Sequence, residues 1–403
     1  MHKVYDSKSR AKKLKSINPY PMHLIKRVNR PTTLINENEV KRVDERDGGF
    51  QRAGRGEYGK RIQLEYGRFM EKYPLSYAQL TMSKHLSNVV DGNVKDYKAP
   101  VPENPEDISL HIKELAYFLR ADSVGICKLP QYAVFTNSRW DGKKIDLKHK
   151  YAIAILVDQD WKTADAFDGK DWISNSMSFL SYTTSGFIAC TIAQYIRNLG
   201  FPARAHHAMN YQVVVPPILL KAGLGEMGRL GDSIIHPFLG PRFKAAIVTT
   251  DLPLEIDKPI DFGLQRFCDI CKKCARECPS QAISHSDKII HNAYEIWPVD
   301  VKRCTSMRVG NHLGSGCGNC IKVCPWNKPF TPLHKFVNWN IRNFPFTHKL
   351  CIKADDWFGY GKENTKNKWW WDFEDMEGHF EKRSKAKTGK PVKDLQDLMN
   401  KYD

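Results

Sequence analysis

Seven of the chain's eleven cysteines fall in two short stretches. "FCDICKKCARECPSQAIS" carries Cys268, Cys271, Cys274 and Cys278, with Pro279 next. "GCGNCIKVCPWNKP" carries Cys317, Cys320 and Cys324, with Pro325 next. The first stretch has the form C-x2-C-x2-C-x3-C-P, which places thiolates around a cubane iron–sulfur cluster and lends its fourth cysteine to a second one. The second stretch lacks a leading cysteine. Cys304, with twelve residues between it and Cys317, fills the gap by looping back. Exchange between the halves gives one set of Cys268, Cys271, Cys274 and Cys324, and another of Cys278, Cys304, Cys317 and Cys320. The rival chemistry, two four-cysteine zinc sites, is normally built from paired C-x2-4-C units. A triple run closed by Cys-Pro, met twice, fits zinc poorly.

The chain has 403 residues, a formal net charge of +17 and 41% hydrophobic residues. That length holds two or three domains with a sizeable core. No apolar run approaches the roughly 18 residues of a membrane helix. The start, "MHKVYDSKSRAKKLKS", is basic but has no apolar segment of the kind a signal peptide needs. Two expectations stay open, a cytosolic protein or a mature form whose signal was removed. The positive charge suits nucleic acid, an anionic membrane surface or an acidic redox partner, and charge alone does not choose among them. Cys127, Cys190 and Cys351 are scattered, which reads as buried single thiols rather than a disulfide framework.

The elements that must position this chemistry follow from pattern. Residues 1–75 are polar and basic and read as an arm wrapped on the body. Residues 76–260 read as an α+β core with an insertion near 101–150. A two-cluster ferredoxin-like domain spans 261–331, and 332–403 form a C-terminal extension ending in a solvated helix. In the core, Ile108, Ile112, Leu115, Ala116 and Leu119 recur at helical spacing, with Asp107 as cap. "SMSFLSYTTSGFIACTIAQYIRNLG" is a long apolar helix that Gly200 ends. Ser123–Leu129, "YAIAILVD", "YQVVVPP" and "KAAIVTT" read as strands. "GLGEMG", Gly223 to Gly228, matches G-x-G-x-x-G, but a dinucleotide site needs that motif directly after a strand. Here "PPILLKA" intervenes as a short helical turn capped by Gly223. These glycines are expected instead to let the backbone approach another bulky ligand.

Two clusters beside a larger domain make an electron relay, and the extra residues should house its acceptor. The stretch from "YIRNLGFPARAHHAMNYQVVVPP" through "LKAGLGEMGRLGDSIIHPFLGPRFKAAIVTT" to the first cysteine run resembles the corrinoid-dependent reductive dehalogenases, most strongly over 176–331. The C-x12-C-x2-C-x3-C-P form of the second run is also a feature of that family. The resemblance implies a nitroreductase-like core that binds cobalamin base-off, two [4Fe–4S] clusters, and the reaction R–X + 2e⁻ + H⁺ → R–H + X⁻ on a small chlorinated hydrocarbon. It implies Tyr182 of "SYTTSG" as proton donor, Arg242 of "GPRFK" as its support and Asn210 of "MNY" as a polar partner. It further implies Tyr211, Gly223, Gly225 and Gly228 as cofactor-binding residues. A guanidinium near the hydroxyl would lower the cost of a phenolate in a dry site. Read without the resemblance, Tyr182 is a core tyrosine and Arg242 ties down a loop. His206 and His207 raise the alternative of an axial histidine, which the family generally lacks; adjacent histidines are more often surface or supporting groups.

The resemblance also implies an enzyme of the respiratory type, peripheral on the outer face of the cytoplasmic membrane. Its expected partners are a small integral-membrane anchor protein, an upstream electron donor and the organohalide, with no nucleic acid. The absent twin-arginine signal fits a mature form and keeps a cytoplasmic location open. Two rival functions are an epoxyqueuosine reductase-like tRNA-modifying enzyme and a non-catalytic electron-transfer subunit. The first relies on an acidic catalytic residue and usually a helical-repeat C-terminus, and neither signature is found. The crossed ligation makes a direct prediction. Cys324→Ala should disturb the cluster of the first run although Cys324 lies in the second; loss confined to the cluster of Cys317 and Cys320, read by spectroscopy, would show the assignment to be wrong.

Overall fold

The computed structural model describes residues 7–70, 75–167, 173–231, 233–310, 316–368, 373–376 and 379–382. At its centre lies a four-stranded antiparallel sheet of β1 (Ser123–Lys128), β2 (Tyr151–Asp158), β3 (Ala203–His206) and β4 (Phe243–Thr250). The spatial order is β1-β2-β4-β3, with Ile126 opposite Ile153, Ile155 opposite Ala246 and Ala205 opposite Val248. Pleating sends Ile153, Ile155 and Val157 to one face and Ala152, Ala154 and Leu156 to the other. Both faces are buried, in separate apolar clusters. That is why "YAIAILVD" shows no polar alternation, although many antiparallel sheets keep one wet face.

Two helices cover the first face, α1 (Pro105–Phe118) and α2 (Ile173–Asn198). Ile188, Ile192 and Ile196 of α2 recur every fourth residue and pack on that face. Gly200 ends the helix at φ +84°, and a Cβ there would meet the Tyr97 carbonyl. The second face takes α3 (Val215–Lys221) through Ile218, Leu219 and Leu220. Hydroxyl pairs bind helix Leu75–Leu86 to α2, Ser76 with Ser176 and Ser83 with Thr183.

Several local readings need correction. Residues 105–128 lie inside the expected insertion near 101–150, yet they form α1 and β1, integral parts of the core. The cap of α1 is Asn104, whose side chain accepts from the Glu106 N–H at 3.1 Å, with Pro105 following it; Asp107 sits in the first turn. "YQVVVPP" is not a strand. Val213 makes one bridge to Val134, and Pro216 and Pro217 open α3, where missing N–H groups cost little. β3 escaped notice because Arg204 and His206 break its apolar run. Both are buried and satisfied, Arg204 by Asp91 and His206 by Thr249.

The cysteine-bearing domain follows β4. It comprises α4 (Leu264–Cys271), α5 (Val301–Gly310) and short helical turns at Lys273–Arg276 and Asn319–Lys322. Beyond it, α6 (Pro332–Asn343) and α7 (His348–Trp357) pack back on the first cysteine run. The N-terminal stretch joins this domain by pairing Lys26–Arg27 with Ile260–Asp261. The helix expected at the end of the chain lies outside the described residues. Ile155 is 0% exposed at the centre of the sheet. Ile155→Ala should therefore cost about 2–5 kcal/mol, read as a lowered thermal midpoint of the intact protein; an unchanged midpoint would mean the sheet does not carry the core.

Candidate redox and catalytic site

The cysteines gather as their spacing demands. Cys268, Cys271, Cys274 and Cys324 line one small cavity, together with Arg229 and Trp326. Cys304 and Cys317 both feel the charge of Cys278, and Cys320 feels those of Cys317 and Cys304. Each set thus takes one residue from the other run. Runs closed by Cys-Pro suit cubane ligation better than paired zinc ligands. Burial pushes the Cys271 thiol up to about 11 and that of Cys324 up to about 12. Only iron makes these thiolates favourable, so loading the sets releases protons.

The second set lies against the end of α2. Ser174 donates to the Cys317 carbonyl at 2.5 Å. A side chain at Gly318, held at φ +104°, would press on the Phe167 ring. One turn beyond Cys304 on α5, Arg308 reaches a cavity of about 340 Å³. Phe50, Tyr66, Phe69, Trp140 and Phe179 supply much of its apolar wall, and Tyr182, Lys244 and Arg308 are among its polar groups, with Arg139, Asn175 and Ser178.

Three elements bring those polar groups together. Tyr182 continues the sheet-facing stripe of α2 back from Ile196 through Ala189 and Ser185, to where the stripe opens on the cavity. Lys244 shares its side of β4 with Ala246 and Val248, so its stem starts on the face that α2 covers. Its ammonium sits 5.1 Å from the centroid of the Tyr182 ring. Arg308 stands over the Phe50 ring at 4.5 Å. The ammonium over the ring is a cation–π contact that ties the strand to the helix at this point.

Gln51, Arg139 and Tyr211 belong both to this cavity and to a wider one of about 540 Å³. The wider slot is walled by Val40, Val43, Tyr132, Phe135, Val213, Met227 and Ile296, and polar groups such as Lys41, Asp44 and Asn292 also reach it. The Tyr211 hydroxyl donates to the Ala245 carbonyl at 2.5 Å, fixing the ring between the two spaces. Arg139 is held by the Ala208 carbonyl and by Glu45.

The structure assigns other partners to several expected site residues. Arg242 does not face the Tyr182 cavity. Its guanidinium grips both oxygens of Asp158 at 2.7 and 3.0 Å and donates to the Asn327 side chain at 2.5 Å. Asp158 in turn accepts, through its carbonyl, from Ser181 at 2.8 Å, the residue beside Tyr182. Asn210 is likewise engaged, accepting from Arg204 at 2.7 Å. Gly223, Gly225 and Gly228 are buried against protein rather than a ligand space. A Cβ would strike the Lys258 carbonyl at Gly223, the Ile235 carbonyl at Gly225 and the Ile235 side chain at Gly228. His206 is fully enclosed, bonded to Arg204 and Thr249, and burial holds it neutral. Lys244 and Arg308 went unnoticed in the sequence. The signals were there: Lys244 is a lone cation in an apolar strand, and Arg308 lies four residues after a ligand on a helix.

Two cysteine sets of cubane type beside a cavity that holds a tyrosine define the class of site, an iron–sulfur centre next to a small-molecule pocket. A family described as "4Fe-4S dicluster domain" matches residues 267–328. A tetrachloroethene reductive dehalogenase of Desulfitobacterium hafniense is 38% identical over 232 residues, which are 55% of this chain and 40% of that protein. A solved structure described as suggesting a mechanism for B12-dependent dehalogenation aligns with TM-score 0.88 at 36% identity, covering 94% of this chain and 55% of its own. A catabolic reductive dehalogenase solved with 3-bromo-4-hydroxybenzoic acid aligns with TM-score 0.86 at 39% identity, covering 93% and 54%. Over the part they share, the chain is similar to these reductive dehalogenases in sequence and in fold. It spans about half the length of the relatives it matches.

The grip of Arg242 yields a prediction. Arg242→Met would strand a half-buried carboxylate, and breaking a fully buried pair from one side costs about 3–5 kcal/mol, an upper figure here. The thermal midpoint should fall sharply; a variant as stable as the parent would mean the pair is not structural.

Proposed function

We propose that this chain catalyses reductive dehalogenation, R–X + 2e⁻ + H⁺ → R–H + X⁻, with Tyr182 as proton donor. The observation that carries this reading is the convergence of Tyr182, Lys244 and Arg308 on one cavity that shares walls with the wide apolar slot. The slot suits a corrinoid through its width and its mixed wall, with the rings of Tyr132, Phe135 and Tyr294 and several aliphatic side chains beside polar groups, and with Tyr211 and Arg139 at the junction. A corrinoid bound there, with the two clusters, supplies the electrons and the carbon–halogen cleavage.

The chain's own residues do the rest. Phe50, Phe69, Phe179 and Trp140 take the organic skeleton by burial and shape. The Tyr182 hydroxyl delivers the proton to carbon. Lys244 stabilises the phenolate left behind and returns a proton to it. Arg308 offers its charge to the departing halide or to an acidic oxygen on the substrate. Arg242 and Asn210 serve as positioning residues, Arg242 through Asp158 and Ser181, Asn210 through Arg204. The relatives named for tetrachloroethene and solved with 3-bromo-4-hydroxybenzoic acid bracket the substrate class to be tried.

A peripheral position on the outer face of the cytoplasmic membrane is part of the same proposal, with a small membrane protein as anchor and a separate electron donor. No helix among the described residues is long and apolar enough to cross a membrane. The exposed Phe336, Phe346, Leu350 and Trp357 near α6 and α7, with Lys335 and Lys349 among them, offer an apolar and basic face for such a partner.

Tyr182→Phe removes one hydroxyl and leaves the ring's packing, so clusters and corrinoid should load normally. Halide release, measured with a strong artificial reductant, should drop by roughly 10² to 10⁴. Lys244→Gln should also be impaired, because it removes the charge that supports the phenolate. Full activity of Tyr182→Phe at normal cofactor content would place the acid elsewhere.

A further inference from the structure

We infer that Arg229 is the fixed counter-charge of the first iron–sulfur cluster, the one held by Cys268, Cys271, Cys274 and Cys324, and that it raises that cluster's reduction potential. The inference rests on the cluster assignment above and goes beyond it. Arg229 is 1% exposed and lines the same small cavity as the four cysteines. Its hydrogen bonds go only to carbonyls: Nε to Cys268 at 3.0 Å, and Nη1 to Ser284 at 3.0 Å and Ser286 at 2.8 Å. Its other neighbour is the Trp297 ring, 4.9 Å away and itself 1% exposed. Among the described residues no carboxylate pairs with it.

Lys272 also lines the cavity, but it is only partly buried and its ammonium donates to the His285 carbonyl at 2.8 Å; the further cations of this region are balanced by carboxylates. Lys273 is paired with Asp355 and Asp356, Lys328 with Asp355, and Arg276 with Glu277 and Asp356. A buried guanidinium without an anion is costly. Four thiolates on a cubane leave it net negative, so the cluster itself is the anion that Arg229 faces. One-electron reduction changes no bond. It places one further negative charge on the cluster, drawn from an external one-electron donor. A cation held a few ångströms away in a dry site favours that reduced state.

Two variants separate charge from geometry in the cluster-loaded protein. Arg229→Gln keeps a hydrogen-bond donor toward the carbonyls and loses the charge; Arg229→Lys keeps the charge and loses the fork. Both are titrated anaerobically with dithionite, and the two clusters are followed by electron paramagnetic resonance. Arg229→Gln should move the reduction equilibrium of one cluster tenfold or more toward the oxidised form, about 59 mV for one electron, and move the other less. Arg229→Lys should stay within roughly threefold of the parent. Loss of the first cluster in Gln but not in Lys carries the same conclusion. Unchanged potentials in Gln, an equal shift in both variants, or loss of the cluster in both would overturn it. A parent protein without two cubane signals would instead overturn the cluster assignment.

Discussion

The grip of Arg242 on Asp158 and Asn327 joins the two halves of the molecule. Asp158 ends β2, the second strand of the sheet, and Asn327 follows the last cluster cysteine by three residues. One planar guanidinium therefore fixes the end of the sheet against the end of the cysteine-bearing domain. Bidentate geometry matters here, because a lysine could satisfy only one side of the contact at a time. Nearby, Gly240 adopts φ +62° and lies so close to the Trp326 carbonyl that any side chain would force the two halves apart. The polar clamp and the bare backbone contact hold the same seam.

What the seam protects is a charge arrangement. Tyr182 comes from a helix, Lys244 from a strand and Arg308 from the cluster domain. No single element carries two of the three, so their approach depends on how the domains sit together. This division makes the Arg242 contact bear on how the three residues meet, although Arg242 lines their cavity with none of its atoms. Three cationic residues line this pocket, Arg139, Lys244 and Arg308, and Arg139 is partnered by Glu45; the other two give the pocket a preference for ligands that carry, or develop, negative charge.

The cysteine ligation was legible because ligand spacing is a covalent constraint, repeated in the chain itself. The long helix and the two long strands were legible because their apolar runs are unbroken. Tyr182 was reached through resemblance, and its place on the buried stripe then follows from helical period. Arg242 was misjudged for a physical reason. From sequence, an arginine two residues before Lys244 gives no sign of which one turns inward, since the chain bends between them and a carboxylate 84 positions away decides the matter. The glycines of "GLGEMG" were misjudged in the same way. A glycine announces close approach, but not whether a ligand or another strand is approaching. β3 was missed because buried, fully bonded Arg204 and His206 look like surface residues until their partners are known.

The exchange of Cys278 and Cys324 between the two cysteine sets has a consequence for biosynthesis. During synthesis the first three ligands of the first set leave the ribosome well before Cys324, and Cys278 emerges well before its companions. Neither cubane can be fully enclosed until the second run has been made. The two inorganic groups therefore act as a pair of interlocked clasps around the segment between the runs, and each one shortens the loops open to the unfolded chain. With the crossed ligation proposed here, stripping iron from either set would free a ligand that anchors the opposite run.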